Sequence, residues 1–149
     1  MQLNWIFKKF NDLTAAELYT IMQLRNEVFV VEQNCVYQDA DDKDQTSLHL
    51  CGWHGEKLVA YSRIIPPGIA YPEASIGRVL TSPVYRNTGA GRQLMKESIS
   101  NTFSSFICSQ IKIGAQAYLT NFYQSFGFVP HGIEYLEDGI PHIEMILNK

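Results

Sequence analysis

The apolar positions of this chain fall in short blocks whose spacing changes from strand-like to helix-like and back. Leu3 to Phe10 reads as an opening strand. "LTAAEL" then starts a helix. Thr14 can cap it, Glu17 three residues on closes a capping box, and Leu13 and Leu18 stand at the two staple positions. Leu18, Ile21, Met22 and Phe29 carry the helical stripe onward. Arg25 lies on that stripe, so it either snorkels to an edge or reaches a site. After the polar break "QDADDKDQ", the blocks "SLHLCGW" and "KLVAYSRII" read as two strands joined by a short hairpin containing Gly55. A proline-marked loop leads to "ASIGRVLT", a fourth strand that Pro83 stops because it has no N–H for a ladder.

Helical spacing returns after Gly89, where Met95, Ile99, Phe103 and Phe106 recur at i, i+4, i+8 and i+11. "QIKIGA" alternates as a fifth strand. "YLTNFYQSF" sets Leu119, Phe122, Tyr123 and Phe126 on one helical face, and Gly127 ends it. "FVPHGIEYL" and "IPHIEMIL" close the chain as a hairpin through an Asp138-Gly139 turn. The order β-α-β-β-β-α-β-α-β-β predicts an α/β (α+β) domain over residues 1–149, a mixed sheet with helices packed against it.

Composition narrows the function classes. The 149 residues suffice for a real core, and 46% hydrophobic with 18% charged residues is ordinary for a soluble globular protein. A formal net charge of −3 argues against a nucleic-acid surface built on bulk charge. The N-terminus lacks a signal-peptide pattern and no apolar run matches a bilayer, so no membrane association is expected and cytoplasmic is the default location. Cys35, Cys51 and Cys108 are odd in number and far apart, which suits buried or inert thiols better than disulfides. His49, His54, His131 and His142 show no paired ligand spacing, and no metal is expected. Asp39, Asp41, Asp42 and Asp44 do not make a calcium loop, since Lys43 and Asp44 stand where a ligand and a glycine belong. That run reads as a solvated loop, or as an attractor for a cationic amine. Arg63 and Arg78 lie on strands and need partners: Glu32, other acids around a cleft, or a substrate carboxylate.

The stretch most directly tied to chemistry is "YRNTGAGRQL". Arg86, Asn87, Thr88, Gly89, Ala90, Gly91 and Arg92 join a strand to a long helix. A helix start leaves N–H groups unpaired and partially positive, glycines let an anion approach them, and the two arginines add charge. A phosphate cradle and a plain glycine turn both fit this composition. A P-loop does not, because Arg92 and Gln93 follow Gly91; nor does a dinucleotide fingerprint, because Leu94 stands where a third glycine or alanine belongs.

"RNTGAG" resembles the Arg/Gln-x-x-Gly-x-Gly/Ala loop of the GCN5-related N-acetyltransferases (GNAT), which hold the pyrophosphate of acetyl-CoA. The following strand and "NFYQSFGF", with Tyr123 four residues before Gly127-Phe128, fit the same family. "LRNEVFVVEQNCVYQDADDKD", "RII", "GRV" and "EDGIPHIEM" are similar to its ElaA-like subgroup. The resemblance spans essentially the whole chain. It implies the mostly antiparallel GNAT fold, acetyl-CoA as co-substrate and an amine acceptor. It places Val79, Leu80 and Thr81 where a strand splays from its neighbour and backbone groups hold the pantetheine arm. Tyr123 becomes the candidate general acid for the coenzyme A thiolate, although its apolar stripe also fits a core residue. Many relatives carry a Glu near the position of Gly77 and Arg78, so the base is left to Glu32, His142 or a water relay. Without that carboxylate, an acyl-CoA-binding sensor with no catalysis is the competing reading. Edge strands of the closing hairpin can pair between copies, which would give a homodimer.

Overall fold

A computed structural model describes all 149 residues. The strands are β1 Asn4–Lys9, β2 Leu48–His54, β3 Lys57–Ile65, β4 Ser75–Thr81, β5 Gln110–Gln116, β6 Val129–Glu137 and β7 Ile140–Asn148. The α-helices are α1 Ala15–Arg25, α2 Ala90–Ser105 and α3 Thr120–Gln124. This is the expected order, and no helix is long and apolar enough to cross a membrane.

The capping box at α1 forms as expected. Glu17 N–H donates to the Thr14 hydroxyl at 3.0 Å, and Thr14 N–H donates to the Glu17 carboxylate at 2.8 Å. The helix does not run on regularly through Phe29, however. It widens into a π-helical segment at Asn26–Glu32. Through the wider turn Val28 and Phe29 stay buried in one cluster with Tyr61 and Leu80. Farther on, α3 is shorter than the stripe from Leu119 to Phe126 suggested, with a 3-10 turn over Ala117–Leu119 before it.

The single sheet of the sequence reading is two antiparallel sheets, ordered β1-β2-β3-β4 and β5-β7-β6. They meet side by side and parallel at β4 and β5. One bridge, Ala74 to Ile111, and one bond, Lys112 N–H to the Ala74 carbonyl at 2.9 Å, make that junction. Beyond it the strands part. The core beneath α2 and α3 spans both sheets, with Ile64, Ile76, Met95, Ile111, Ile113 and Met145 all buried. On the opposite face Ile21 and Leu24 of α1 pack on Cys51, Tyr61 and Leu80.

β4 carries a bulge. Tyr61 pairs with Leu80 and Arg63 with Gly77, so Arg78 and Val79 together oppose Ser62. Arg78 takes φ of +49°, a left-handed conformation that costs a residue with a Cβ about 1–2 kcal/mol.

Over the α1 face of β3 and β4 lies a cluster of charge, and here the sequence reading of a solvated acidic loop is overturned. Only Asp42 of the four aspartates is exposed; Asp39 and Asp44 are buried. Arg25, with 0% exposure, puts Nε 2.7 Å from Asp39 and Nη1 2.7 Å from Asp44. Arg63 Nη1 spans Asp41 at 2.7 Å and Asp44 at 3.0 Å. Arg78 Nε lies 2.7 Å from Asp39, and its Nη2 donates to the Asp39 carbonyl at 3.0 Å and to Asp41 at 3.3 Å. Three guanidiniums thus face three carboxylates. Loop 37–47 folds down because the arginines projecting from α1, β3 and β4 need counter-charges there. The same loop positions His49: its Nε2–H donates to the Asp44 carbonyl at 2.9 Å and its Nδ1 accepts from the Tyr61 hydroxyl at 2.7 Å. Burial pushes the His49 pKa down, so the ring stays neutral.

Burial by itself would raise the carboxyls of Asp41 and Asp44. The hydrogen bonds and charge of Arg63 and Arg25 outweigh it and hold both below the usual carboxylate range. Both groups therefore bind protons more weakly folded than unfolded, and their contribution is complete above the unfolded pKa of about 4. Stability is expected to fall as pH drops below that value, and pH-dependent urea unfolding checks it. Arg25→Met leaves buried carboxylates short of a partner and is expected to cost about 3–5 kcal/mol by the urea midpoint.

Candidate functional site

Where β4 and β5 part, a cleft of about 1270 Å³ opens between them. Val79, Leu80 and Thr81 line one wall; Ile113, Gly114 and Gln116 line the other. The backbone edges that would have paired with each other instead face this space. An unpaired strand edge is a template for a ligand's amides.

At one end of the cleft α2 begins. Gly89 is its N-cap with φ of +85°, Asn87 is also left-handed at +63°, and Thr88 Oγ1 donates to the Tyr85 carbonyl. No protein acceptor meets the N–H groups from Thr88 to Arg92. A Cβ at Gly89 would meet nothing within 4 Å, so the space over those amides is open. The 16-residue helix adds its positive end to the same point. Of the two flanking arginines neither points freely into the cradle. Arg86 forms a two-toothed pair with Glu32, Nη2 to Oε1 at 2.6 Å and Nη1 to Oε2 at 2.9 Å. Arg92 turns to α3, donating to Ser125 Oγ at 3.0 Å with its guanidinium 4.6 Å from the Phe126 ring centre. The partners of Arg63 and Arg78 are therefore Asp39, Asp41 and Asp44 and not Glu32, and this leaves no free guanidinium there for a substrate carboxylate.

Tyr123 and His142 both line the cleft, from opposite faces of the second sheet. Along β5, Ile113 and Ala115 turn into the core under α3, where Tyr123 sits with 6% exposure. Burial pushes its pKa well up, so it is a neutral phenol with a proton to give. Gln116 and His142 are register partners across β5 and β7, on the face of α1 and the charge cluster. His142 Nδ1–H donates to the Ile140 carbonyl at 2.7 Å, which in the neutral ring leaves the lone pair on Nε2. That nitrogen lies 3.4 Å from Glu137 Oε2, and the ring stacks on Tyr135 with centres 5.8 Å apart.

Some members of the cleft carry no sequence pattern. Gln33 and Gln116 bridge its mouth as an amide pair, each contact 3.4 Å. Cys35 Sγ meets the Asp138 carbonyl at 3.3 Å and ties the loop after α1 to the β6–β7 turn. Glu137 was legible as a hairpin residue but not as the neighbour of His142. Gly114 admits two tyrosines: a Cβ there would lie 2.8 Å from the Tyr135 hydroxyl and 3.1 Å from that of Tyr71.

A family model described as acetyltransferase (GNAT) domain matches residues 12–149. The chain belongs to the GNAT family. Protein ElaA of Escherichia coli is 43% identical over 145 residues, 96% of this chain and 95% of ElaA. A UPF0039 protein of Synechocystis sp. is 45% identical over 147 residues, 98% of this chain and 96% of that one. Among solved structures, an acyl-CoA N-acyltransferase from Pseudomonas aeruginosa superposes with a TM-score of 0.93 at 40% identity, over 98% of this chain and 99% of that one. Escherichia coli ElaA superposes with a TM-score of 0.92 at 42% identity, over 99% of this chain and 100% of that one. GNAT membership accounts for the two-sheet architecture and supports acyl-CoA-dependent acyl transfer.

The left-handed N-cap yields a prediction that needs no ligand. Gly89→Ala has room for its methyl but not a comfortable φ, and is expected to lose about 1 kcal/mol of stability by chemical denaturation.

Proposed function

We propose that this GNAT protein is an acetyl-CoA-dependent N-acetyltransferase whose acceptor is a primary amine of a small molecule or peptide. The observation that carries the reading is the parting of β4 from β5, with unpaired amides at one end and a phenol and an imidazole on its two faces. The amides from Thr88 to Arg92 take the coenzyme's diphosphate, with Arg86 at the rim. The pantetheine arm lies along Val79, Leu80 and Thr81 and brings the thioester between the strands.

The amine attacks the thioester carbonyl directly, and the carbonyl electrons move to oxygen against backbone N–H donors of β4. Collapse of that intermediate expels the thiolate, which takes its proton from Tyr123. A phenol kept neutral by burial suits this task. On the opposite face His142 Nε2 receives the proton that the acceptor ammonium must lose, and Glu137 beside it steadies the positive charge. Glu32 holds Arg86 at the coenzyme end, with both carboxylate oxygens engaged, and the base role goes to His142.

Release of free thiol from acetyl-CoA, followed against a panel of primary amines, tests the reading. Amine-dependent thiol release is the expected result. Tight binding of acetyl-CoA with no turnover on any amine would identify an acyl-CoA sensor instead. Tyr123→Phe and His142→Gln are each expected to lower kcat by about 100-fold or more while leaving acetyl-CoA affinity nearly unchanged. An unchanged kcat removes the substituted residue from the mechanism.

A further inference from the structure

We propose that Asp39, through Arg78, is a positioning residue for acyl-CoA: the buried cluster of three arginines and three aspartates is a strut that holds the β4 bulge and so aims the backbone of Leu80 and Thr81 into the cleft. The inference rests on the acyl-CoA reading of that cleft.

Arg78 is a residue with a Cβ at φ of +49°, inside a strand and with two residues set against one. Left-handed backbone of this kind persists only where the surroundings over-determine it. Here the determinant is visible. The Arg78 guanidinium makes three polar contacts, all to Asp39 and Asp41: Nη2 donates to the Asp39 carbonyl and to Asp41, and Nε pairs by charge with the Asp39 carboxylate at 2.7 Å without hydrogen-bond geometry. Asp39 is itself held by Arg25, which is fully buried at the end of α1. Asp41 is held by Arg63 from the neighbouring strand. The chain of contacts therefore runs from α1 through loop 37–47 to β3 and to the bulge.

The bulge is placed where it acts on the site. It consists of Arg78 and Val79 and falls immediately before Leu80 and Thr81, in the cleft-lining part of β4. Without it Ser62 would pair one to one, and every later residue of β4 would shift by one place against β3. Such a slip turns each side chain and each peptide group to the other side. Leu80, buried with Tyr61 and Ile21, would leave its cluster, and a different set of N–H groups would face the cleft.

Alanine and glycine at position 78 separate the strut from a plain loss of contacts. Both remove the guanidinium, but glycine takes positive φ readily and alanine does not. Backbone NMR of the ligand-free full chain reads the result directly. In Arg78→Ala and Asp39→Asn the Leu80 and Thr81 amide resonances are expected to move away from wild-type positions, and in Arg78→Gly to return towards them. Calorimetry with acetyl-CoA is the second readout. Arg78→Ala is expected to bind about tenfold more weakly, and Arg78→Gly within about threefold of wild type, as the cost of left-handed backbone implies. Unmoved Leu80 and Thr81 resonances in Arg78→Ala would overturn the proposal. So would equal displacement and equal loss of affinity in the alanine and glycine variants, which would mean that the guanidinium acts without the backbone. Should Asp39→Asn not fold, the two Arg78 variants decide, since that side chain lies at the cluster's partly exposed edge. A wild-type chain that does not bind acetyl-CoA would refute the acyl-CoA reading, and the resonances would still decide the strut.

Discussion

Two neighbouring strands that pair once and then part set the terms for the rest of this molecule. β4 and β5 share a bridge at Ala74 and Ile111, and beyond it each keeps its ladder with its own sheet only. A buried backbone edge without partners is costly in a folded protein unless water or a ligand meets it. The wedge is tolerated because it is open to solvent, and it is useful because a chain of amides can complete it. The core beneath α2 and α3 continues under the wedge, with Ile111, Ile113 and Met145 on one side and Ile64 and Ile76 on the other. That continuity keeps the two sheets together although their backbones separate.

The other elements of the site are arranged around this opening. The helix that covers the first sheet begins at one end of it, so the positive end of α2 and the free edge of β4 lie along one path. The second sheet presents its two faces to the same space, with a buried phenol on one and an imidazole on the other. In the proposed reaction, separation by a sheet would let these two groups address one reacting centre without bonding to each other.

The buried charges are the least expected part of the architecture. Ion pairs in such a place are weak evidence for stability, because desolvation of each ion offsets much of the attraction. What they add is direction. A guanidinium fork accepts few geometries, and Arg25, Arg63 and Arg78 together fix the path of a loop that has few apolar anchors of its own, Tyr37 being one. A hydrophobic cluster of similar volume could hold the loop down without dictating how it approaches the bulge.

The periodicity of apolar residues determined nearly all the elements, because burial of one face is a local property that a strand or helix writes into its own spacing. Seven strands, the capped start of α1 and the glycine-led start of α2 were legible in this way. The quoted motifs were legible as a family resemblance as well, and the family match over residues 12–149 bears that resemblance out. The acidic run is the exception, for a physical reason. Whether Asp39 is solvated or paired depends on Arg25, Arg63 and Arg78, which lie 14, 24 and 39 positions along the chain, and local pattern holds no record of such distances. Tertiary structure alone decided that β4 and β5 part, that Glu32 meets Arg86, and that Tyr123 and His142 share one cleft, because each is a contact between segments whose sequences are individually complete without it.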